Sequence, residues 1–150
     1  LYIYNSLFAD LPGETASLYY MNTTSTMTYI YNSTFISHDN LGQYDGSGGS
    51  FASYNCIFYG NQITTLYAPA FSYTGTSIAG NTEIDKDANK KTMGQSSFTD
   101  YPGEDYTLSS GSICINAGNN TYAPSIVAND LAGNPRVSGG TVDIGCYEYR

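Results

Sequence analysis

Short runs of alternating apolar and polar residues fill residues 1–91, and one five-residue pattern recurs within them. Residues 4–8, 31–35 and 54–58 each read aromatic, Asn, small, variable, Phe, and residues 80–84 form a weaker fourth copy. Side chains of a strand point alternately to opposite faces, so we predict that the small residue and the Phe point inward while the variable residue faces solvent. The pattern therefore predicts β-strands rather than helices.

The spacing of these copies predicts stacked repeats. Their Asn residues are separated by 27, 23 and 26 positions, which is too short for a domain but fits one coil of a solenoid. An Asn at a bend tolerates a left-handed backbone, and its amide can bond the turn and the Asn of the next coil. The structural positions predicted from the repeat are an Asn column of Asn5, Asn32, Asn55 and Asn81, and an inward stack of Phe8, Phe35, Phe58 and Ile84.

The run Asn-Cys-Ile-Phe-Tyr-Gly-Asn at residues 55–61 is the most characteristic piece of this pattern. With its repeats, the chain resembles the right-handed parallel β-helix of pectate-lyase-like and polymorphic surface proteins. The fold we expect is therefore all-β: residues 1–91 form three to four parallel β-helix coils, incomplete at the N-terminal side, and residues 92–150 form an irregular C-terminal cap module packed on the last coil. The alternatives are a β-sandwich with accidental repetition and a β-propeller, whose blades need longer periods.

Composition agrees with strands and limits the partners. The chain of 150 residues has 16 Tyr and 6 Phe, and 12% of its residues are charged, which is typical of neither a disordered chain nor a helical bundle. Its formal net charge is −8, and no Lys or Arg precedes Lys86. Because nucleic-acid binding requires clustered cations, we expect no nucleic-acid partner. The sequence has no long uninterrupted apolar run, so we expect no transmembrane segment.

Three blocks near the C-terminus, residues 105–118, 130–136 and 140–149, resemble in their order the C-terminal module of secreted bacterial β-helix proteins that is labelled choice-of-anchor Q. The pattern departs from those relatives at Ser112-Ile113, where they usually have Ser-Pro. The resemblance implies an extracellular or cell-surface location, and it implies no reaction. Physically, such a module covers the strand edges of the last coil, which would otherwise invite aggregation.

The 130–136 block reads as a turn from which Arg136 leaves, and Arg136 is the only Arg before the terminal residue. Asp143 and Glu148 lie close to it in the sequence. We predict a charge-assisted ion pair between Arg136 and these carboxylates, with an exposed, unpaired Arg136 as the alternative.

Cys114 and Cys146 lie in two strand-like blocks of the predicted cap, each between apolar residues. If those strands are adjacent, the two Cα atoms would fall within the distance that a disulfide needs. Cys56 would then remain a buried free thiol at the small inward position of its coil. The alternative is three reduced, buried cysteines that act as small apolar side chains, and their spacing fits no zinc pattern.

No catalytic residue is predicted for this segment. β-Elimination on a uronate needs a base, often Lys or Arg, and the predicted coils before residue 85 have neither. Hydrolysis needs several carboxylates on one face, and the acidic residues of the coils stand at non-equivalent turn positions. His38-Asp39 is the one plausible acid–base pair, but adjacent strand residues face opposite ways. Whether the full-length protein is an enzyme stays open on the sequence.

Two features are weak candidates for binding. Rows of exposed Tyr, with Tyr2, Tyr29 and Tyr59 as candidate contacts, could stack on sugar rings, although the same rows could serve only to stack one coil on the next. The acidic stretches at residues 39–45 and 85–87 could hold Ca²⁺ through oxygen ligands, but no loop motif of fixed spacing supports this. We therefore predict no cofactor and no metal-ligand set.

Three functions of different classes remain. The first, which the missing cations and scattered carboxylates favour, is a non-catalytic structural or adhesive segment of an exported cell-surface protein. The second is the C-terminal part of a polysaccharide lyase or glycoside hydrolase, and the third is a carbohydrate-binding β-helix. The partners we expect are upstream coils or another subunit against the open N-terminal edge, and a polysaccharide in the third case.

Overall fold

The computed structural model describes residues 1–9, 19–21, 27–37, 40–44, 50–60, 62–65, 70–81 and 83–150, and for residues 19–21, 40–44, 50 and 62–65 it describes the backbone alone. The strands in these ranges are β1 (Tyr2–Tyr4), β2 (Leu7–Ala9), β3 (Tyr19–Met21), β4 (Met27–Tyr31), β5 (Thr34–Ile36), β6 (Asn40–Tyr44), β7 (Ser50–Tyr54), β8 (Ile57–Tyr59), β9 (Gln62–Thr65), β10 (Ala70–Ser72), β11 (Gly75–Thr76), β12 (Lys91–Thr92), β13 (Phe98–Asp100) and β14 (Asp105–Leu108). The helices of the described part are short 3₁₀ turns at Ile84–Lys86, Gln95–Ser97 and Asn120–Tyr122. None of these has the length and apolar character that crossing a membrane requires.

Strands β1 to β12 build three parallel sheets. Their orders are β1-β4-β7-β10, β2-β5-β8-β11-β12 and β3-β6-β9, so strands that lie three apart in the sequence are usually neighbours in space. Aromatic and β-branched side chains favour these short strands because they pack well on a pleated surface. The five-residue patterns of successive repeats therefore lie side by side in register.

A left-handed residue separates the first sheet from the second at each level. Asn5, Asn32 and Asn55 have φ of 50°, 46° and 53°, a region that most side chains avoid and Asn tolerates. The ladder continues across this corner, since the Asn5 N–H donates to the Tyr31 carbonyl oxygen (3.0 Å) and the Asn32 N–H to that of Tyr54 (3.0 Å). The backbone of the corner thus explains the Asn of each repeat.

The fourth level of this corner is formed by Tyr73 and not by Asn81. Strand β10 pairs in register with β7 and β11 with β8, which places Tyr73 at the corner with φ of 56°. Asn81 instead precedes the 3₁₀ turn at Ile84–Lys86, and its Oδ1 accepts the N–H groups of Glu83 and Ile84 (both 3.1 Å). Asn81 was predicted for this corner because residues 80–84 resemble the other copies. Strand pairing, however, determines which residue occupies the corner, and it selects Tyr73.

The Phe of each repeat points into a first core. Phe35 lies between Phe8 and Phe58, with ring centroids 4.8 and 5.1 Å apart and rings nearly parallel. Phe35 and Phe58 are buried, and Phe8 is partly buried against them. The other buried members are Ile30, Phe51, Cys56, Phe71, Ile78 and Ile84. Ile84 therefore belongs to the predicted core but stands outside the Phe column.

The variable position of the repeat is buried, contrary to the expectation that it faces solvent. Thr34 and Ile57 are each 1% exposed because C-terminal residues cover them. The Cys146 N–H donates to Thr34 Oγ1 (3.0 Å), and Gly145 approaches Ile57 so closely that an added Cβ would lie 2.7 Å from its Cδ1. The second sheet is thus buried on both faces, a situation that strand alternation alone does not reveal.

A second core fills the space on this other face. Strands β13 and β14 form an antiparallel pair whose apolar side chains pack there. Its buried members are Ile36, Ile57, Tyr59, Met93, Phe98, Tyr101, Tyr106, Leu108, Cys114 and Ile144. Residues from both ends of the chain share this core, which ties the C-terminal residues to the sheets.

The C-terminal residues reach several levels of the sheets rather than the last one alone. Asn5 Nδ2, at the first level, donates to the Asn129 carbonyl oxygen (3.1 Å). The Gly145 N–H donates to the carbonyl oxygen of Asn55, at the third level (2.8 Å). C-terminal residues therefore contact the Asn corners at two levels, which the predicted packing on the last coil did not indicate.

The predicted fold class, a right-handed parallel β-helix, is wrong for this structure. The described strands form separate parallel sheets of four, five and three strands, followed by an antiparallel pair, and the described residues trace no continuous solenoid. A repeated pattern specifies which residues pair between parallel strands, but pairing sets neither the path between sheets nor its hand. The structure is a β-rich fold built on parallel sheets.

Candidate functional site

The first sheet carries a row of stacked tyrosines on its outer face. Parallel pairing in register sets Tyr2 beside Tyr29 and Tyr4 beside Tyr31, with ring centroids 5.2 and 5.3 Å apart. Tyr54 continues the second column at 5.1 Å from Tyr31. We call this set, completed by one C-terminal ring, the tyrosine row: Tyr2, Tyr4, Tyr29, Tyr31, Tyr54 and Tyr122.

Tyr122 closes the row from the C-terminal side. Its ring centroid lies 4.3 Å from that of Tyr54, the shortest separation in the row, and the rings are nearly parallel. Nothing in the local sequence indicates this contact, because Tyr122 lies in a 3₁₀ turn outside the repeats. Its position follows from a hydrogen bond pair between Asn55 and Asn119, which brings the turn to the corner.

Stacking determines what the row can offer to a ligand. Rings between two neighbours have both faces covered, so they present edges and hydroxyl groups to solvent rather than faces. Tyr2 differs, since it is 60% exposed at the end of its column. Burial raises the pKa of the Tyr31 and Tyr54 hydroxyls, and neighbouring Tyr residues add to both shifts, so these groups stay protonated donors.

The Asn corners are the attachment points of the C-terminal segment. Asn55 Nδ2 donates to the Asn119 carbonyl oxygen (3.0 Å), and the Asn119 N–H donates back to Asn55 Oδ1 (2.8 Å). Asn5 makes only the first kind of bond, since its Nδ2 donates to the Asn129 carbonyl oxygen. Asn32, between them, is 1% exposed, and among the described residues neither atom of its amide group has a hydrogen-bond partner. The Asn column therefore binds another segment of the chain at its first and third levels.

Arg136 is buried and organises the end of the chain. Its Nη1 donates to Glu148 Oε1 (3.2 Å) and to the Gly145 carbonyl oxygen (3.1 Å), and its Nη2 donates to the Cys146 carbonyl oxygen (2.9 Å). The ion pair between Arg136 and Glu148 is the one that the sequence predicted. Asp143, the other predicted partner, makes its hydrogen bonds elsewhere.

Two further carboxylates hold backbone groups of the same segment. Asp143 Oδ1 accepts the Asn116 N–H (2.6 Å), and its Oδ2 accepts the Tyr149 N–H (2.6 Å). Asp130 accepts the N–H groups of Asn134 (2.7 Å) and Glu148 (2.9 Å). These bonds give the buried carboxylates a structural role, because backbone donors satisfy their oxygens.

The electrostatics of this cluster are unusual because three buried carboxylates lie near one buried cation, which forms an ion pair with Glu148. The pKa of the Glu148 carboxyl is raised to about 7, first by burial and then by nearby Asp143, against the opposing effect of Arg136. Burial likewise raises the pKa of Asp143. The sequence indicated the pair with Arg136, but it did not indicate that Asp130 joins the cluster.

An open groove of about 480 Å³ lies beside this cluster. It combines two tyrosines, several hydroxyl groups, an amide and the two carboxyl side chains of Asp130 and Glu148. Its polar and aromatic lining consists of Thr99, Thr107, Ser109, Ser110, Asp130, Asn134, Tyr147, Glu148, Tyr149 and Arg150. Aromatic surface with fixed donors and acceptors is suited to a small hydroxyl-rich ligand.

All three cysteines are buried free thiols, so the disulfide considered for Cys114 and Cys146 is not formed. The Ile144 N–H donates to the Cys114 carbonyl oxygen (3.0 Å), which places Ile144 rather than Cys146 opposite Cys114. Cys114 Sγ instead lies 3.9 Å from Met93 Sδ. Burial raises the pKa of Cys56 and Cys114 to about 12 and that of Cys146 to about 11.

The remaining predicted sites are dispersed. Tyr59 is 9% exposed in the second core, so it is not a surface contact. Asp87 accepts backbone N–H groups of Thr74 and Asn89, and Asp85 pairs with Lys90, which gives this acidic stretch partners within the chain.

His38 and Asp39, the predicted acid–base pair, lie outside the described residues, as does Asp45 of the first acidic stretch. Among the described residues, no group of three or more His, Cys, Asp or Glu side chains is arranged to hold a metal ion. Function must therefore be argued from the tyrosine row and the groove.

No protein-family model, curated protein or solved structure matches this chain. The resemblances to pectate-lyase-like proteins and to choice-of-anchor Q modules accordingly stay predictions from the sequence.

Proposed function

We propose that this chain is a non-catalytic structural and adhesive segment of an exported protein displayed at the cell surface or outside the cell, and that the tyrosine row is its contact surface. The observation that carries the proposal is the stacking of Tyr4, Tyr31, Tyr54 and Tyr122 in one continuous column, with Tyr2 and Tyr29 beside it. Tyrosine offers a rigid, amphipathic contact surface at low entropic cost.

The composition around the row favours adhesion to uncharged or cationic surfaces. The first 85 residues contain no Lys or Arg, and the chain carries a formal net charge of −8. The row presents ring edges and phenol hydroxyls, which can donate and accept hydrogen bonds. The resemblance of residues 105–149 to a module of secreted proteins supports the external location.

The experiment compares retention of protein-coated beads under flow on a neutral polysaccharide, on a glycoprotein matrix and on a bare apolar surface. The double variant Tyr2→Ser, Tyr29→Ser removes the most exposed ring of the row and the ring stacked on it, and it should reduce retention several-fold on at least one surface. The matched control is Ile126→Ser, Leu131→Ser, which removes exposed apolar side chains that are not members of the row and should retain adhesion. Equal retention of both double variants would reject the row as the contact surface.

A second candidate function, carbohydrate binding, is favoured by the groove beside Glu148. Its tyrosines, hydroxyl groups and carboxylates match the functional groups that bind sugars, namely aromatic surface and directed hydrogen bonds. Ser110 is exposed and lines the groove, so Ser110→Trp should block it, whereas Ser125→Trp is an exposed control elsewhere. Calorimetry with neutral oligosaccharides should show binding that the first variant alone loses.

The same oligosaccharide samples test whether the segment is catalytic. Incubation followed by measurement of new reducing ends and of unsaturated products detects hydrolysis and elimination respectively. Products whose amount increases with the concentration of this protein would reject the non-catalytic proposal, whatever the outcome of the binding measurements.

A further inference from the structure

Tyr54 and Tyr122 make the closest ring contact of the tyrosine row. Their centroids lie 4.3 Å apart, with 26° between the ring planes, whereas the row's contacts between neighbouring strands measure 5.1, 5.2 and 5.3 Å. Those longer distances follow the spacing of about 4.8 Å between paired strands. Tyr122 lies on a 3₁₀ turn and not on a paired strand, so this spacing does not limit its approach to Tyr54.

Hydrogen bonds hold both sides of this contact in place. Asn55, directly after Tyr54, exchanges two hydrogen bonds with Asn119, the residue that caps the turn carrying Tyr122. The Tyr122 N–H donates to the Asn119 carbonyl oxygen (2.9 Å), and the Thr121 N–H donates to Asn119 Oδ1 (2.9 Å). The backbone thus fixes the two rings relative to each other, and groups held in this way react as if at a high effective concentration.

The surroundings of the pair favour oxidation of phenols. Both rings are half-buried, so part of each is open to solvent. The chain has no Trp, and its three thiols, which would otherwise compete for an oxidant, are buried. A phenol that loses one electron and its proton becomes a phenoxyl radical, and two such radicals in contact couple. The pair therefore has both the position and the chemistry for a covalent bond between rings.

We propose that Tyr54 and Tyr122 are a site of oxidative cross-linking, at which hydrogen peroxide and a haem peroxidase join the two rings as dityrosine. The proposal rests on the contact between these two rings. It does not depend on the adhesive role of the tyrosine row.

The atoms and electrons of this step balance. Each phenol gives up one electron and one proton, and the two radicals form one carbon–carbon bond between ring carbons ortho to the oxygens. Each of these carbons then loses its hydrogen as a proton while the oxygen of the same ring regains one, which restores both phenols. One molecule of hydrogen peroxide takes up the two electrons and the two released protons and becomes two molecules of water.

The bond ties the C-terminal turn to strand β7, two segments that are distant in the sequence. A covalent link of this kind restricts the unfolded chain more than the folded one, as a disulfide does. The three cysteines are free thiols, so dityrosine would supply a cross-link that they do not.

The experiment treats a dilute mixture of unlabelled and isotope-labelled protein with hydrogen peroxide and a haem peroxidase. Mass spectrometry after proteolysis identifies the linked peptides. The expected main product joins Tyr54 to Tyr122 with the same label on both peptides, which shows that the bond forms within one molecule. The treated protein should also have a Tm higher by about 5 °C or more, because the unfolded chain is restricted.

A hydroxyl deletion locates the site. Tyr122→Phe keeps a ring of the same shape but removes the phenol, so the yield of dityrosine within one molecule should fall at least about fivefold. Tyr149→Phe is the matched control, since it removes the hydroxyl of another half-buried C-terminal tyrosine, outside the row, and should leave that yield unchanged. Tyr54→Phe replaces Tyr122→Phe if the latter fails to fold, which thermal melting will show.

Four outcomes would overturn the proposal. These are the absence of dityrosine, linked peptides with mixed labels as the main product, a main product that joins another pair such as Tyr31 and Tyr54, and equal yields in Tyr122→Phe and the wild type. Retention on surfaces is not among these measurements, so failure of the cross-link and failure of the adhesive role are distinguishable.

Discussion

Asn55 and Asn119, 64 positions apart, bond each other in both directions: Asn55 Nδ2 donates to the Asn119 carbonyl oxygen at 3.0 Å, and the Asn119 N–H donates to Asn55 Oδ1 at 2.8 Å. The same Asn55 has a left-handed backbone, with φ of 53°. Asn55 therefore has two roles. Asn tolerates the left-handed backbone of the corner, and its side-chain amide has both a donor and an acceptor with which to pair with a peptide group.

The two roles of Asn55 predict that a substitution at this corner lowers the free energy of unfolding more than the same substitution at Asn32. Asn55→Gly keeps the left-handed backbone but loses both bonds to Asn119, and it should lower the free energy of unfolding by about 1–3 kcal/mol. Asn32→Gly keeps the same backbone freedom and removes an amide group that has no hydrogen-bond partner in the described part of the chain, so its effect should be smaller. Urea unfolding of the two variants measures the difference. Equal losses would contradict the assigned role of the Asn119 bonds.

The Phe column predicts a large effect at its middle. Phe35→Ala removes a 2% exposed ring that stacks on both sides, and it should cost about 3–5 kcal/mol of unfolding free energy. The comparison is Tyr2→Ala, because that ring is 60% exposed. Thermal unfolding followed by circular dichroism should show a large drop in Tm for Phe35→Ala and a small one for Tyr2→Ala. A drop of a degree or two at Phe35 would contradict the stacking.

The approach of Gly145 to the second sheet predicts a steric effect. A Cβ at Gly145 would lie 2.7 Å from Ile57 Cδ1 and 2.9 Å from Thr34 Oγ1, and φ is 111°. Gly145→Ala should therefore cost about 2–4 kcal/mol, from the left-handed backbone and from overpacking together. Gly133→Ala is the matched control, since its φ is 89° and a Cβ there would have no heavy atom of the described residues within 4 Å apart from its chain neighbours. Its loss should be limited to the backbone contribution, and equal losses would argue against close packing at Gly145.

The Glu148 carboxyl predicts a pH dependence of stability. Because burial raises its pKa from 4.5 to about 7, the folded state binds the proton more tightly than the unfolded state. The resulting stabilisation is present below pH 4.5 and is lost as the pH rises to about 7. Asp143, whose pKa is also raised, acts in the same direction.

Glu148→Gln tests this assignment. The variant removes the titrating group, so its urea midpoint should change less between pH 5 and pH 7.5 than that of the wild type, even though loss of the Arg136 ion pair lowers its stability overall. An unchanged pH dependence would show that Glu148 does not titrate in this range.

The three buried thiols predict slow chemistry in the folded state. Their pKa values, about 12 for Cys56 and Cys114 and about 11 for Cys146, leave little thiolate near neutral pH. We expect a thiol reagent to label none of them quickly in the native protein and to label all three after denaturation without reductant. A Cys114–Cys146 linked peptide in a non-reduced digest would contradict the free thiols.

Local properties of the chain made part of this structure predictable. The left-handed corners at Asn5, Asn32 and Asn55 follow from a residue type that tolerates that backbone, and the inward Phe follows from strand alternation. Parallel alignment of like patterns then sets Phe8 beside Phe35. The ion pair of Arg136 was predictable because its partner Glu148 lies 12 positions away.

Contacts between distant segments decided the rest. Burial of Thr34 and Tyr59, the corner role of Tyr73 and the addition of Tyr122 to the tyrosine row all depend on which segment covers which sheet. The expected path of the chain as a right-handed β-helix failed for the same reason. A periodic pattern reports the two faces of each strand, but the tertiary structure alone selects what packs against them, since Cys146 meets Thr34 across 112 positions.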